Sequence, residues 1–281
     1  MSTWVKATAV FDEAPADWSP YHDIFENAGC PGTIEETNPP SLSSYFFQDE
    51  NEEKIKKTLT SELTQAGIND VQFSLVPEES WSDAWKLFFK TRKIGKQFWI
   101  VPTWEQKPTV APNEHLIHLD PGQAFGTGDH ATTRLCVCML EEAIEKGDII
   151  ADIGSGSGIL AIASGMLGAS KIFATESETP AYIACNENLN RNQINADVRH
   201  TSTIPSDFPK CDLVVSNIVS AVIIRLATDI SRICKPNGLW ILSGVIPNNF
   251  LDVETAATTS GFSLVTIREE DGWVGAMFRK N

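Results

Sequence analysis

Three glycines at alternate positions, Gly154, Gly156 and Gly158, follow the apolar run Asp148-Ile-Ile-Ala-Asp-Ile153 and carry an acid, Asp152, two residues ahead of them. The pattern predicts a buried parallel strand running into a glycine turn and a helix, the usual mouth of a nucleotide-type pocket. Glycine at these positions permits positive φ and lets a ligand lie against bare main chain. A dinucleotide fingerprint spaces its glycines G-x-G-x-x-G so that a pyrophosphate meets the helix N-terminus. Here the spacing is G-x-G-x-G, and Asp152 would repel a pyrophosphate. An acid suits a ligand with a cationic end and no phosphate, a description that S-adenosylmethionine fits through its amino group and sulfonium.

Two further polar positions lie on the same predicted edge. Glu176 ends the next strand, 22 residues after Gly154, where an acid in a doubly wound sheet can accept hydrogen bonds from both hydroxyls of a ribose. Asn217 closes the apolar strand Cys211–Val215 within Ser216-Asn217-Ile218-Val219. Its amide can face a ligand or an incoming nucleophile, although Asn is also a common turn and cap residue. The loop Asp120-Pro-Gly-Gln-Ala-Phe-Gly-Thr-Gly-Asp-His-Ala-Thr-Thr133 leads into a helix with Thr127, His130, Thr132 and Thr133 at its threshold. Unsatisfied backbone N–H groups there would welcome a carboxylate; a plain helix cap from Thr132 or Thr133 is the competing use.

The elements that must hold these residues can be read along the chain. From residue 148, strands at 148–153, 171–176, 197–201, 211–217 and 238–243 alternate with helices at 158–167, 179–192, 220–234 and 248–260, predicting a mostly parallel, doubly wound α/β sheet. Phe262–Glu269 and Trp273–Lys280 flank Asp271-Gly272 and read as a hairpin, so one late strand runs antiparallel. That feature matches the Rossmann-like class I methyltransferases and not dehydrogenases. Upstream, 97–281 also holds short strands at 98–101 and 115–119 and a helix at 131–145. Residues 79–96, with Trp81, Trp85 and Phe88 or Phe89 at helical spacing, read as a bridging linker helix. Residues 1–78 follow β-α-β-β-α-β order, the pattern of a small ferredoxin-like α+β domain.

Composition narrows the functions. The chain has 281 residues and a net charge of −15, which argues against nucleic acid as a direct partner. Residues 1–78 hold 14 acids against 4 lysines, a net −10, so this part could steer a basic partner or merely keep the surface solvated. No apolar run is long enough to span a membrane, and the first residues lack the look of a signal peptide; a cytoplasmic protein is expected. Six scattered cysteines without a C-x-x-C pair suggest buried thiols and no metal site.

Taken together, the segment 120–133, the run Asp152-Ile-Gly-Ser-Gly-Ser-Gly-Ile-Leu-Ala-Ile-Ala163, Ser216-Asn217-Ile218 and Leu242-Ser-Gly-Val245 resemble the ribosomal protein L-eleven methyltransferases. The likeness covers residues 80–281, while residues 1–78 agree in element order only. It implies S-adenosyl-L-methionine as cofactor, held at Thr133, Gly154, Gly156, Glu176 and Asn217. It also implies an N-terminal domain that grips a large-subunit ribosomal protein whose lysine and terminal amines become methylated, by an enzyme expected to be a monomer. Asp129 and Ala131 stand where the family usually has Thr and Pro, and Glu176 where it has Asp. No general base is assigned; His130 is the candidate. A methyltransferase of another substrate, or a cofactor-binding assembly factor without catalysis, remains the alternative.

Overall fold

In the computed structural model, residues 4–15, 17–30, 33–47, 51–76, 90–120 and 126–281 are described. The chain divides into two compact units, Met1–Phe88 and Phe89–Asn281.

The first unit is a four-stranded antiparallel sheet with two helices. Its elements are β1 (Trp4–Val10), α1 (Ser19–Asn27), β2 (Ile34–Thr37), β3 (Pro40–Phe47), α2 (Glu52–Gln65) and β4 (Asp70–Val76), in sheet order β2-β3-β1-β4. That is the expected split βαβ arrangement. Strand alternation puts Val5, Ala7 and Ala9 on the inner face, where they pack with Leu42 and Phe46 of β3, Phe25 of α1, and Leu59 and Leu63 of α2. The two leucines are four residues apart on α2 and so share one helical face. The turn at 29–32 is only partly within the described residues.

The second unit opens with a small sheet, β5 (Arg92–Ile94), β6 (Phe98–Val101) and β7 (His115–His118), in which β6 pairs antiparallel with β5 and parallel with β7. Here the structure corrects the last part of the linker-helix expectation for 79–96. Residues 77–89 lie outside the described residues, but 92–94 form a strand because Gly95, at φ +60°, reverses the chain against Phe98–Ile100. The reversal is fixed by Glu141, whose carboxylate accepts from the backbone N–H groups of Lys96 and Gln97 at 2.9 and 2.7 Å.

The remainder is α3 (Ala131–Ala143), β8 (Ile149–Ile153), α4 (Ile159–Met166), β9 (Lys171–Glu176), α5 (Thr179–Arg191), β10 (Asp197–His200), β11 (Cys211–Asn217), α6 (Ser220–Ile233), β12 (Cys234–Val245), α7 (Pro247–Thr259), β13 (Phe262–Glu270) and β14 (Trp273–Lys280). The seven strands lie in the order β10-β9-β8-β11-β12-β14-β13. β14 runs antiparallel to both neighbours, to β13 because the Asp-Gly hairpin joins them. The central strands β8 and β11 and the middle of β12 are mostly apolar because both faces are covered. Ile150, Leu213, Val215, Ile241 and Met277 enter one core with Leu140 of α3, Ile162 of α4 and Leu189 of α5. Their strand neighbours Ala151, Val214, Leu242, Ala276 and Phe278 enter the opposite core with Ile223 and Ile230 of α6 and Val253 of α7. The parallel strands β8, β9, β11 and β12 end at one edge of the sheet, at Ile153, Glu176, Asn217 and Val245.

Trp240 anchors the second core. It is fully buried between Phe262 and Phe278, and its indole N–H donates to Ser216 Oγ at 2.9 Å. Trp240→Ala is expected to cost about 3–5 kcal/mol, whereas Leu251→Ala, at a site 71% exposed, should stay within about 0.5 kcal/mol. Urea midpoints followed by circular dichroism would check the contrast; equal losses would show that Trp240 does not organise this core.

Candidate functional site

The site grows from the turn between β8 and α4. Gly154, Gly156 and Gly158 take φ values of +79°, +53° and +83°, conformations that only glycine adopts without strain. A Cβ on Gly154 would stand 2.3 Å from Ile218 Cγ2, so the main chain there must remain bare. The turn is tied to the neighbouring strand: the N–H groups of Gly154 and Ser155 both donate to the Thr175 carbonyl at 2.9 Å. Other elements hold it from outside. Asn188 Nδ2 donates to the Ser157 carbonyl at 2.9 Å, and Ser157 Oγ donates to the Gly126 carbonyl at 2.6 Å.

Asp152 lies beneath this turn and is fully buried. One carboxylate oxygen accepts from the Ala161 N–H at 3.0 Å in the first turn of α4, a position the helix dipole favours. The other oxygen has no hydrogen-bond partner. Burial, with Glu176 nearby adding to it against the Ala161 bond, pushes the Asp152 carboxyl up to about 7. Burial likewise pushes the Cys185 thiol, beside the turn, up to about 12, so it is not a nucleophile at neutral pH. Among the described residues no group of three His, Cys, Asp or Glu side chains could hold a metal ion.

Glu176 stands at the end of β9, only 7% exposed. Its carboxylate faces the backbone: Oε2 accepts from Gly156 N–H at 2.8 Å, and Oε1 from the N–H groups of Ser177 and Glu178 at 2.7 and 2.9 Å. Three of its roughly four acceptor positions are thus committed to the chain itself. Glu176 is a stay of the glycine turn, so an incoming hydroxyl pair would have to share or displace the Gly156 bond.

Thr133 and Asn217 meet across the edge. Thr133 is buried one turn into α3, and Asn217 Nδ2 donates to its Oγ1 at 3.4 Å. Asn217 Oδ1 is buried without a partner. The cap of α3 is His130, not a threonine: His130 Nδ1 accepts from the Thr132 N–H at 3.3 Å and lies 2.7 Å from Thr132 Oγ1. Its ring also meets Trp273 edge-on at 4.9 Å. With one ring nitrogen engaged in capping, His130 serves the helix first. Of the preceding loop, Pro121–Phe125 lie outside the described residues. Gly126 and Gly128 are seated against Ser157, Ile100 and Ile159.

The structure therefore gathers Gly154, Gly156 and Glu176 on one side of the edge and Thr133 with Asn217 on the other. Asn188, which braces the turn from α5, is invisible to motif reading because a helical Asn carries no signal of its partner. Trp273 is likewise hidden, although its place after Asp271-Gly272 marks it as the first residue beyond a hairpin tip. Two orphaned buried acceptors, a bare glycine turn and the absence of a phosphate-type cradle fit a ligand that offers cationic and N–H or O–H groups.

Residues 6–281 match the family model described as ribosomal protein L11 methyltransferase. The chain is 36% identical over 239 residues to the Bacillus subtilis (strain 168) ribosomal protein L11 methyltransferase, covering 83% of this chain and 77% of that one. It is 38% identical over 220 residues to the Symbiobacterium thermophilum protein of the same name, covering 78% and 71%. The crystal structure of a ribosomal protein L11 methylase from Lactobacillus delbrueckii subsp. bulgaricus aligns with TM-score 0.64 at 31% identity, covering 69% of this chain and all of that one. A Pyrococcus furiosus methyltransferase, at 15% identity and TM-score 0.50, covers 59% of this chain and 89% of its own and shares the fold.

The Asp152 carboxyl yields a test with a definite sign. Its folded value of about 7 exceeds the unfolded value of 3.8, so the folded state holds the extra proton between them. Stability contributed by this group is full below about pH 4, falls as pH rises toward 7 and is flat above. Asp152→Asn keeps an acceptor for Ala161 and should remove that slope. Melting temperatures of the ligand-free wild type and variant from pH 4 to 8 should diverge with rising pH; parallel curves would show Asp152 ionised throughout.

Proposed function

The chain belongs to the ribosomal protein L11 methyltransferase family, and we propose that it transfers methyl groups from S-adenosyl-L-methionine to ribosomal protein L11, the acceptors being lysine ε-amines and the terminal amine. The observation that carries the amine assignment is the unpartnered Asn217 Oδ1, a buried acceptor at the ligand edge of the sheet. An uncharged amine can donate an N–H to it while keeping its lone pair for attack. Exposed apolar residues follow at once: Val219, 64% exposed, caps α6 two residues on, and Ile246 caps α7 after the strand whose Ser243 pairs with Asn217. A lysine's methylene stem suits such surroundings.

The cofactor is assigned to the glycine turn and its flanks, with Gly154 and Gly156 giving main-chain contact, Glu176 a ribose, and Thr133 with Asn217 the opposite side. When bound, it supplies an activated methyl group on a sulfonium, so no covalent nucleophile is asked of the chain. What remains for the protein is orientation and desolvation. Lysine is ordinarily protonated, with a pKa near 10.4. Desolvation of the amine as the protein substrate seats over this edge lowers that value and favours the neutral form. Asn217 fixes the amine's direction, and its own amide is fixed by Thr133.

The first unit is assigned to substrate recognition. Residues 1–78 carry most of the net charge, and ribosomal proteins are generally basic, so the unit can steer and orient the protein substrate. Incubating ribosomal protein L11 with the enzyme and labelled cofactor, followed by mass spectrometry, tests the whole reading. Asn217→Ala should lower kcat/KM by about a hundredfold, the scale of a misplaced reacting group. Labelling of carboxylate or hydroxyl side chains in place of amines would sink the amine assignment.

The recognition role has its own check. A fragment from residue 89 onward should bind S-adenosylhomocysteine like the full chain, since all proposed contacts follow residue 130. Its methylation of ribosomal protein L11 should collapse for want of effective concentration. Methylation at the full-length rate would leave the acidic surface a role in solubility alone.

A further inference from the structure

Around the first turn of α3 the second unit carries an ionic network that the assigned reaction does not use. Arg134 faces three acceptors at once. Its Nε donates to Glu270 Oε1 at 2.6 Å, one terminal nitrogen donates to Asp271 Oδ2 at 2.5 Å, and the other to the Asp129 carbonyl. The Asp129 carboxylate in turn pairs with Arg92 of β5. Glu270 and Asp271 form the tip of the β13–β14 hairpin, where Asp271 and Gly272 both take positive φ. Arg134 therefore fastens the hairpin tip to the end of the 126–130 loop. The same loop is fastened at its other end by Ser157 Oγ on the Gly126 carbonyl, and in between Gly128 sits against Ile100 and Ile159. His130 and Trp273, one from each fastened segment, meet ring to ring.

A guanidinium suits this task because its planar fork offers donors in several fixed directions, which an ammonium cannot do. The groups are also partly exposed, with Arg134 at 27% and Asp271 at 71% of their side-chain surface, so dissolved salt reaches them.

We propose that Arg134 is a positioning residue that clasps the β13–β14 tip onto the 126–130 loop and thereby holds that loop against the glycine turn for cofactor binding. The inference rests on the reading of this edge as the cofactor site. Loss of the clasp frees the loop end without touching the turn itself, so the cofactor is held less tightly while the bound complex still reacts. Arg134→Gln should raise KM for S-adenosyl-L-methionine about tenfold with kcat within about twofold, the pattern of lost binding common to ground and transition states. Arg134→Lys should behave like Arg134→Gln, because charge without the fork cannot reach three acceptors. The double variant Glu270→Gln with Asp271→Asn, confined to the hairpin tip, should reproduce the effect. In all three, hydrogen exchange should quicken together at 126–134 and 270–273. Rising salt should raise KM in the wild type and leave Arg134→Gln nearly unchanged.

Calorimetry with S-adenosylhomocysteine separates the two readings. If the wild type does not bind it, the cofactor site is misassigned. If the wild type binds and Arg134→Gln binds equally well, or if Arg134→Lys restores wild-type KM, the clasp is overturned. A fall in kcat alone with unchanged KM also overturns it.

Discussion

The second unit is organised around one demand: a five-residue turn must carry the chain from the centre of a sheet into a helix above a buried carboxylate. Asp152 is enclosed with a single backbone N–H to accept, that of Ala161. A charge so placed is costly unless compensated. The helix N-terminus supplies part of that compensation and protonation another. Everything else at the site is a response to keeping this turn open. Left-handed glycines leave its surface bare, Thr175 and Glu176 of β9 hold its inner N–H groups, and Asn188 and Ser157 brace its outer side.

This geometry changes the reading of Glu176. Its sequence position marks a ribose acceptor, yet its carboxylate already takes three backbone N–H groups. The same acid can do both only if ligand hydroxyls compete with Gly156 for one oxygen. Because that N–H belongs to the turn, the proposed ribose recognition would be coupled to turn conformation: a ligand that drew Glu176 outward would loosen the tie it replaced. Removing Glu176 would therefore disturb the turn as well as the ligand, and a substitution there reports on both.

Sequence was informative where period and turn chemistry coincide. The alternation of strands and helices from β8 to α7, the glycine turn and the Asp-Gly hairpin all have local causes, so their places are nearly as read. The ferredoxin-like order of the first unit was equally legible, since Val5, Ala7 and Ala9 alternate and Leu59 and Leu63 repeat at helical spacing. The failures share a different cause. Arg92–Ile94 carries no strand signal of its own and becomes one through Gly95 and the distant Glu141. His130 displaces the threonines as cap because its ring can also pack on Trp273, more than 140 residues away. Arg134 carries no sequence signal of its role, because its three acceptors lie on two other segments. Contacts between elements far apart in sequence leave no periodic trace.

The two orphaned acceptors, Asp152 Oδ1 and Asn217 Oδ1, are better understood together than singly. A buried polar atom left unpaired costs about 1–3 kcal/mol, and a chain free to drift would lose both. Asp152 lies under the glycine turn and Asn217 at the end of β11. Thr133 holds Asn217 by its amide nitrogen and so leaves the buried oxygen without a partner. Under the proposed reading, a ligand that reached either oxygen would relieve part of that cost, so binding and folding would draw on the same deficit. A methyl transfer that needs no covalent nucleophile from the chain asks mainly for direction and dryness. Under the proposed reading Asn217, held through its amide by Thr133, would supply the direction.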